Sequence, residues 1–304
     1  MESSQPLQDV TPLLKDAQAL RRHMDTEGCA YFRGLIPPDD ILDLRRQVLQ
    51  IYHDRGWLQE RTALLDGIVD PVINQVESYA SNGADREAYQ AVYQLQAFHQ
   101  LAHHSAILTL FEQLFGETVL VHPRNIARLM APHKDTFPTP PHQDYIYVQG
   151  ARATYTCWIP LGDCPKALGG LSLLPGTHQD LLPVRPADGA GGRTVVLDGL
   201  EQNWQEGDYQ TGDAVIFHSQ TVHRALPNQS ADRIRLSCDY RYQPLSMPVE
   251  PKSLEPHVGL MTWEETYAGW TDQSLQYYWR DLDLQLNDFD MSLLEPAAED
   301  TQNN

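Results

Sequence analysis

The sequence predicts an α+β protein, mainly β, in which helices come first and antiparallel strands then form a sandwich or barrel. Helical periodicity dominates residues 1–116, and short β-rich runs between Gly, Pro, Asn and Asp turns dominate residues 117–243. No internal repeat interrupts this order. We therefore expect one domain over residues 1–304, with residues 244–304 as a C-terminal extension that contains TWEETYAGW and LQYYWRDL.

The helical part begins with TPLLKDAQALRRHM, where Thr11 is the predicted N-cap and Pro12 the first helical residue. A second helix is predicted for PDDILDLRRQVLQIYHDRG, because its apolar residues recur at the helical period and Gly56 can end it. CAYFRGLI between these helices is predicted to be a short strand. Residues 86–115 are predicted as another long helical run, ended by Gly116.

The β part is predicted from short runs rich in strand-forming residues, which are TVLVHP, IARLMAP, DYIYV, ATYTCWIPL, GLSLLPG, TVVLDGL, DAVIFHS, TVHRAL and RIRLSCDYRYQ. Residues 184–194, VRPADGAGGRT, are predicted to form an exposed loop. The acidic, polar tail over residues 289–304 is predicted to fray.

Charge and cysteine usage exclude several classes of partner. The chain has 22 basic and 41 acidic residues, a net charge of −19, which repels nucleic acids and anionic membranes. Its 4 cysteines form no C-x-x-C motif and indicate free thiols in a reducing compartment. The N-terminus MESSQPLQDV lacks the features of a signal peptide, and no apolar run could span a membrane. We expect a cytoplasmic protein; its oligomeric state is open.

The candidate chemistry lies in PPHQDYIY, residues 140–147. Residues two apart on a strand point to the same face, so His142 and Asp144 should project together. Two histidines and one carboxylate are the ligand set of many non-haem Fe(II) oxygenases, although H-x-D alone is a weak motif. The candidates for the third ligand are His218 and His223, in DAVIFHSQTVHRAL.

An arginine lies about ten residues beyond these histidines, and its planar guanidinium could bind a carboxylate through two parallel hydrogen bonds. A dicarboxylate co-substrate such as 2-oxoglutarate would chelate the metal at its keto-acid end. Its other carboxylate would then meet the arginine.

Three separated motifs resemble the phytanoyl-CoA dioxygenase family of Fe(II)- and 2-oxoglutarate-dependent oxygenases. They are HQDYIY, CWIPLGDCPKALGGLSLLPGTH and GDAVIFHSQTVHRALPN…RIRLSCDYRY, and they occur in the family's order. GCAYFRGLIPPDDILDLRRQV also resembles the family's N-terminal part. The resemblance implies a double-stranded β-helix, a cupin-like jelly-roll barrel with N-terminal helices packed on it and a metal at the barrel mouth.

The resemblance also implies the site residues. His142, Asp144 and His223 would bind the iron, and His218 would pack nearby without binding it. Arg233 would bind the distal carboxylate of 2-oxoglutarate, because R-x-x-x-S-C aligns it with the family arginine. The alternative is Arg235, which shares the strand face of Arg233 and forms the R-x-S spacing of other 2-oxoglutarate enzymes. We favour Arg233.

Trp158 matches a family tryptophan near the co-substrate, and a role in core packing fits it equally well. Two departures from the family pattern bear on the chemistry. Arg224 and Ala225 stand where the family often has a glycine–serine pair, so a hydroxyl that could hold 2-oxoglutarate is missing and Thr139 is a candidate to replace it. Asp144 supplies a carboxylate where related halogenases have a small residue, which favours hydroxylation over halogenation.

The predicted function is therefore hydroxylation of a small organic molecule, such as a natural-product intermediate, with Fe(II), 2-oxoglutarate and O2. No obvious basic patch for a CoA phosphate is present. One alternative is desaturation, epoxidation or cyclisation by the same kind of enzyme. Another is a non-oxygenase, cupin-like protein that holds zinc or nickel in the same ligands, which the dependence of turnover on 2-oxoglutarate would distinguish.

Four other residues have candidate roles that the sequence argues against. His99 and His103 are four apart on a predicted helix face, but the motif lacks the glutamate of H-E-x-x-H, so we predict a partly exposed or cavity-lining pair that binds no metal. Tyr145 and Tyr147 have the opposite strand parity to His142 and Asp144. They are therefore predicted to face away from the iron.

Overall fold

The computed structural model describes residues 4–132 and 138–296. It contains helices mainly in the first part of the chain and largely antiparallel sheets after them. The α-helices are α1 (Ala17–Glu27), α2 (Pro38–Asp54), α3 (Arg86–Tyr93), α4 (Gln96–Ala102), α5 (Ser105–Phe115) and α6 (Trp263–Thr266). The strands are β1 (Gln5–Pro6), β2 (Cys29–Phe32), β3 (Val119–Val121), β4 (Ile126–Met130), β5 (Tyr155–Pro160), β6 (Leu171–Leu174), β7 (Val184–Pro186), β8 (Arg193–Val195), β9 (Gln205–Glu206), β10 (Ala214–His218), β11 (Val222–Ala225) and β12 (Arg235–Pro244).

Short 3-10 helices connect these elements. They are Thr11–Lys15, Leu64–Asp66, Pro71–Gln75, Tyr79–Ser81, Asp144–Ile146, Lys166–Leu168, Thr177–Gln179, Leu200–Asn203, Pro251–Leu254, His257–Gly259 and Met291–Leu294.

Two sheets form the β part. The larger has the order β2-β10-β5-β12, and the free side of β12 pairs first with β4 and then with β3. The smaller has the order β1-β9-β6-β11, with β1 and β9 parallel. β7 and β8 form a separate hairpin. Within the described residues the two sheets are not joined into one closed hydrogen-bonded barrel.

The N-terminal helices form largely as predicted, with two corrections. Thr11 does not cap α1; it begins a 3-10 helix, and the side chain of Asp16 accepts hydrogen bonds from the backbone of the first turn of α1 instead. The run over residues 86–115 is divided into α3, α4 and α5. The backbone is extended at Leu95 and at His104, where the ring Nδ1 of His104 accepts a hydrogen bond from the amide of Ala106 and so starts α5 anew.

Two predictions in the β part are wrong. Residues 184–194 are not simply a loop, because Val184 and Val195 are buried and pair across the β7–β8 hairpin, which leaves the glycine-rich segment as its tip. DYIYV is not a strand: Asp144–Ile146 is a 3-10 helix, in which the amide of Tyr147 donates to the carbonyl of Asp144. The apolar and aromatic side chains that favoured a strand in this segment, such as Ile146 and Tyr147, pack in or against a buried cluster instead.

The main core lies where the helices cover the larger sheet. Leu20 of α1, Val48 of α2 and Phe111 of α5 belong to one buried cluster with Tyr240 of β12. The C-terminal extension contributes to this cluster through Trp263, Tyr267, Trp270 and Trp279. Among the described residues, no helix is long and apolar enough to cross a membrane. The tail predicted to fray lies outside the described residues from 297 onward.

Candidate metal and co-substrate site

His142, Asp144 and His223 converge on one point. The Oδ1 atom of Asp144 lies 3.6 Å from Nε2 of His142 and 3.8 Å from Nε2 of His223. The potential ligand atoms all lie within 4.8 Å of one another, and all three side chains are buried. Elsewhere in residues 4–132 and 138–296 no other group of three such side chains could hold a metal ion. Two imidazoles and one carboxylate on one side of a cavity fit Fe(II) and leave coordination positions open for reactants.

The backbone brings the two histidines together. The amide of His142 donates to the carbonyl of His223 over 3.0 Å, and the reverse hydrogen bond has the same length. His142 thus extends the smaller sheet beyond β11. Asp144 reaches the same point because it begins a 3-10 helix. The amide of Tyr145 donates to the carbonyl of Ser219 and holds this helix in place.

Hydrogen bonds orient both imidazole rings. Nδ1 of His142 lies 2.9 Å from the carbonyl oxygen of Pro140, and Nδ1 of His223 lies 3.0 Å from that of Thr221. A carbonyl can only accept, so Nδ1 carries the proton in each ring and the lone pair is on Nε2. This arrangement of a backbone acceptor behind a ligand nitrogen is common at metal sites.

The second oxygen of Asp144 is also held. Oδ2 accepts a 2.6 Å hydrogen bond from Oγ1 of Thr156 and lies 3.3 Å from a guanidinium nitrogen of Arg241. Burial alone would raise the pKa of Asp144, but the charge of Arg241 and the neighbouring His142 bring it well below its usual range. The carboxyl is therefore ionised, as a metal ligand must be.

His223 is held in its neutral form. Burial lowers the pKa of His223 to about 3. A neutral imidazole with its lone pair on Nε2 is the form that binds a metal.

The cavity that contains the triad lies between the two sheets. Trp158 of β5 and Phe217 of β10 line it from the larger sheet, and Leu171 of β6 and Ala225 of β11 line it from the smaller one. Arg235, the first residue of β12, also lines it.

The structure places the two candidate anchors of 2-oxoglutarate differently. Arg233 is exposed and is absent from the cavity lining, because it precedes β12 and its backbone pairs with Ile68 at the edge of the structure. Arg235 is 3% exposed and faces the cavity. Its Nη1 donates to Oγ of Ser237 over 2.6 Å, and no carboxylate of the described residues forms an ion pair with it. Of the two arginines weighed in the sequence analysis, Arg235 is therefore the one that lines the triad cavity.

Trp158 and Thr139 both line the triad cavity. The Trp158 ring also packs against Tyr209, with 4.8 Å between ring centroids, so it combines a place at the site with a place in the core. Ala225 contributes only a methyl group to the cavity, and the neighbouring Arg224 stacks on Trp204 instead, 3.9 Å from the ring centroid. Thr139 thus supplies a hydroxyl near the position where the family serine is missing.

His218 and His99 lie outside the metal cluster. His218 packs against the rings of Tyr155 and His178. His99 is buried, with one ring nitrogen 2.8 Å from the carbonyl of Tyr93 and the other 3.1 Å from the amide nitrogen of Asn125, so neither is available to a metal.

Strand parity predicted that Tyr147 faces away from the iron, and this prediction is wrong. The ring of Tyr147 lies 6.1 Å from that of His142, and it lines a second cavity that His142 and Asp144 also border. The 3-10 helix places residues three apart on one side, which brings Tyr147 to the side of Asp144. Tyr145 lies elsewhere, against the guanidinium of Arg152.

Sequence reasoning missed Arg241 and Thr156 as supports of Asp144. A signal for Arg241 was present in β12, where Arg235, Ser237, Asp239 and Arg241 alternate with apolar residues and so place a polar row on one face. Such a row on a fully buried strand indicates a polar cavity. Thr156 carries no comparable signal.

This fold and this donor set define a non-haem Fe(II)- and 2-oxoglutarate-dependent oxygenase. The chain belongs to the phytanoyl-CoA dioxygenase family, whose pattern it matches over residues 24–237, more than half of its length.

Among curated proteins, the chain is similar to a 1-deoxypentalenic acid 11-beta-hydroxylase of Streptomyces arenae. The two are 29% identical over 252 residues, which cover 78% of this chain and 85% of the relative. A protein of the same description from Streptomyces exfoliatus is 27% identical over the same shares of both chains.

Solved structures share the fold at lower identity. The epimerase SnoN, solved in complex with Fe3+, alpha ketoglutarate and nogalamycin RO, has a TM-score of 0.56 and 19% identity, covering 78% of this chain and 87% of SnoN. The carbocyclase SnoK from nogalamycin biosynthesis has a TM-score of 0.55 and 21% identity, covering 80% of this chain and 90% of SnoK.

Proposed function

We propose that this oxygenase hydroxylates a small organic molecule, with His142, Asp144 and His223 as the iron ligands and Arg235 as the anchor of 2-oxoglutarate. One observation carries the assignment of residues: a preformed triad and a buried arginine without a carboxylate partner line the same cavity. A buried guanidinium that lacks an anionic partner is costly, and the distal carboxylate of 2-oxoglutarate would provide that partner.

Each residue has a distinct task in this proposal. The iron, when bound, supplies the O2 chemistry that couples decarboxylation of 2-oxoglutarate to oxidation of the substrate. His142 and His223 offer Nε2, and Asp144 offers Oδ1, while the hydrogen bonds behind them keep these atoms aimed at one point. The apolar rings of Trp158 and Phe217 exclude water from the cavity between the sheets.

We also propose that the two facing sheets form a double-stranded β-helix of the jelly-roll type and that the chain works as one domain in the cytoplasm. The cavity lined from both sheets supports the first point, and the packing of the C-terminal Trp263 and Trp279 in the main core supports the second. All 4 cysteines are unpaired, which is common in a reducing compartment. The curated relatives, whose names specify a hydroxylation, support hydroxylation of a natural-product intermediate.

The first experiment measures succinate formed from 2-oxoglutarate under air by protein reconstituted with Fe(II). We expect iron-dependent succinate even without the true substrate, as slow uncoupled turnover, and its loss in His223→Ala. The same samples under nitrogen should develop the charge-transfer absorbance of Fe(II) with bound 2-oxoglutarate. Absence of both signals would overturn the proposal and favour a cupin-like metal-binding protein without oxygenase activity.

The assignment of Arg235 has a matched control two residues away. Arg235→Gln should raise the 2-oxoglutarate concentration needed for half-maximal absorbance by about tenfold or more, because a charge-assisted pair is lost. Arg233→Gln removes the same charge from the exposed position and should leave that concentration unchanged. The reverse pattern would restore Arg233 as the anchor.

A further inference from the structure

A second cavity of about 280 Å³ opens beside the triad. His142, Asp144 and Arg241 border it on the side of the metal site, and Arg128 and Arg124 border it from β4 and the segment before it. The C-terminal extension completes the wall with Lys252, His257 and Phe289. These three residues lie beyond the part of the chain that matches the family.

Two of the arginines in this cavity already have anionic partners. Nε of Arg128 lies 2.8 Å from a carboxylate oxygen of Asp239, and Arg241 lies 3.3 Å from Asp144. Their charges are therefore balanced within the protein and do not call for a ligand.

Arg124 and Lys252 lack such partners among the described residues. Neither forms an ion pair, and Nε of Arg124 is buried without a hydrogen bond. Burial, and after it the charge of Arg241, lowers the pKa of Arg124. The buried carboxylate of Glu250 raises this pKa, although it is too far from Arg124 to form an ion pair. Lys252 stands exposed at the mouth, with Nζ 5.5 Å from the centre of the Phe289 ring.

The cationic side chains around this cavity outnumber the anionic side chains that act on them by one. The cations are Arg124, Arg128, Arg241 and Lys252, and the described anions that act on them are Asp144, Asp239 and Glu250. A chain with a net charge of −19 thus surrounds this cavity with a local positive excess.

His257 adds an uncharged imidazole to this wall. Burial and the nearby arginines lower the pKa of His257 well below its usual range, so the ring is neutral. Its Nδ1 lies 2.8 Å from the hydroxyl of Tyr89, which links this wall to α3.

We propose that the substrate of this oxygenase is a singly charged organic anion, a carboxylate on an apolar skeleton, and that Arg124 with Lys252 binds its charged end. This inference rests on the proposed function, since it names the substrate class of the same site. The carboxylate would give Arg124 the partner that it lacks, while Ile126, Val148 and Phe289 offer apolar contact to the skeleton. The C-terminal extension thereby takes part in substrate selection.

The test uses isosteric probes that differ in charge, adamantane-1-carboxylate and adamantane-1-carboxamide. Binding is measured by calorimetry to the full chain loaded with Fe(II) and 2-oxoglutarate under nitrogen, so that the co-substrate position is already filled. We expect the carboxylate to bind about tenfold more tightly than the carboxamide, as a charge-assisted contact would give. Arg124→Gln should reduce that ratio to about two or less, and Lys252→Gln should lower it about threefold.

Arg185→Gln, which removes an exposed cation outside the cavity, should leave the ratio unchanged. Equal affinities of the two probes for the native protein, including no binding of either, would overturn the proposal. So would a folded Arg124→Gln protein that keeps the full ratio, because the carboxylate would then bind the metal or another cation. If Arg124→Gln does not fold, the exposed Lys252→Gln decides alone, and an unchanged ratio overturns the proposal.

Failure of this inference can be told apart from failure of the proposed function. The charge-transfer absorbance and iron-dependent succinate report on the metal and 2-oxoglutarate before any probe is added. A protein that gives both signals but no preference for the carboxylate is an oxygenase that does not select its substrate through a carboxylate. A protein that gives neither signal fails at the earlier step.

Discussion

The two carboxylate oxygens of Asp144 have different partners. Oδ1 faces the Nε2 atoms of His142 and His223, and Oδ2 is held by Thr156 and Arg241. The carboxylate therefore cannot rotate without giving up two hydrogen bonds. Such outer contacts set the direction of the ligand atom, and their loss commonly weakens metal binding by one to two orders of magnitude.

The contact from Thr156 can be removed with little change in shape. Thr156→Val should weaken Co(II) or Fe(II) binding about tenfold, because Oδ2 loses its shortest hydrogen bond and the carboxylate gains rotational freedom. Titration of the metal-free protein with Co(II), followed by its visible absorbance, measures this change.

Thr154→Val is the matched control for this substitution. Thr154 is equally buried, and its hydroxyl donates to the carbonyl of Ala151 and not to a ligand. We expect normal Co(II) affinity in this variant. If both valine variants bound Co(II) like the native protein, Thr156 would have no role in orienting Asp144.

At this scale the triad residues could be predicted from the sequence, because the H-x-D spacing and the family motifs identify them locally. The choice between Arg233 and Arg235 could not be made from the sequence. Both arginines share the parity of the strand, and only the point at which β12 begins to pair with its neighbours places one in the cavity and the other at the surface. The pairing of β12 depends on residues that are distant in the sequence, here those of β4.

At the scale of elements, two short turns beside the second cavity are strained. Ala80 has a φ of 46° and Val258 a φ of 50°, in the left-handed region that L-residues with a β-carbon avoid. Both line the second cavity, and the hydroxyl of Tyr79 donates to the carbonyl of Val258. Strain of this kind is often retained at functional sites.

Relief of this strain should stabilise the protein. Val258→Gly should raise the free energy of unfolding by about 0.5–1 kcal/mol, because glycine adopts this φ without strain and this outweighs its larger chain entropy. The side chain is 43% exposed, so its removal costs little apolar burial. Urea unfolding of the two proteins measures the difference.

Val72→Gly is the control for this substitution, because Val72 has no strained φ to relieve. Val72 is 39% exposed in the 3-10 helix Pro71–Gln75 and is not among the residues with positive φ. Glycine should therefore destabilise the protein there. Destabilisation by Val258→Gly of the same size would show that the turn at Val258 carries no strain.

The element predictions failed where local pattern and long-range contact disagree. DYIYV has the composition of a strand, yet Asp144 is drawn out of the extended conformation by its contacts with Thr156 and Arg241 from other strands. The break before α5 has a local cause in the His104 cap, which apolar periodicity alone does not reveal.

At the scale of the whole molecule, the C-terminal extension is part of the main core. Trp263 of α6 is 8% exposed, donates from its ring to the carbonyl of Leu254, and packs on Tyr93 of α3 and on Trp279. Trp263→Ala should therefore lower the free energy of unfolding by about 3 kcal/mol or more. Unfolding should remain one cooperative transition if the chain is a single domain.

Leu286→Ala is the control in the same extension, because Leu286 is 61% exposed and its truncation should change stability by less than about 0.5 kcal/mol. Urea unfolding followed by both fluorescence and circular dichroism measures both variants. A native protein whose extension unfolds first, in a separate transition, would contradict the single domain.

The buried histidines couple the stability of the whole protein to pH. Burial lowers the pKa values of His99, His103, His122 and His218 to about 4 in each case, below the ordinary value of about 6.5. Between these values the unfolded chain binds more protons than the folded one. The stabilisation is therefore complete above about pH 6.5 and is lost as the pH falls towards 4, by at most about 1.4 kcal/mol per histidine and pH unit.

His103 allows this coupling to be measured for one group. Its ring packs edge-on against Tyr278 at 4.6 Å and forms no side-chain hydrogen bond within the described residues, so His103→Phe keeps the aromatic contact and removes only the titration. Urea unfolding between about pH 5 and 6.5, above the range where most carboxylates titrate, should show stability falling less steeply with acidification in the variant than in the native protein. Equal slopes would mean that His103 becomes protonated in the folded protein as readily as in the unfolded chain, and hence that the aromatic core around it admits water.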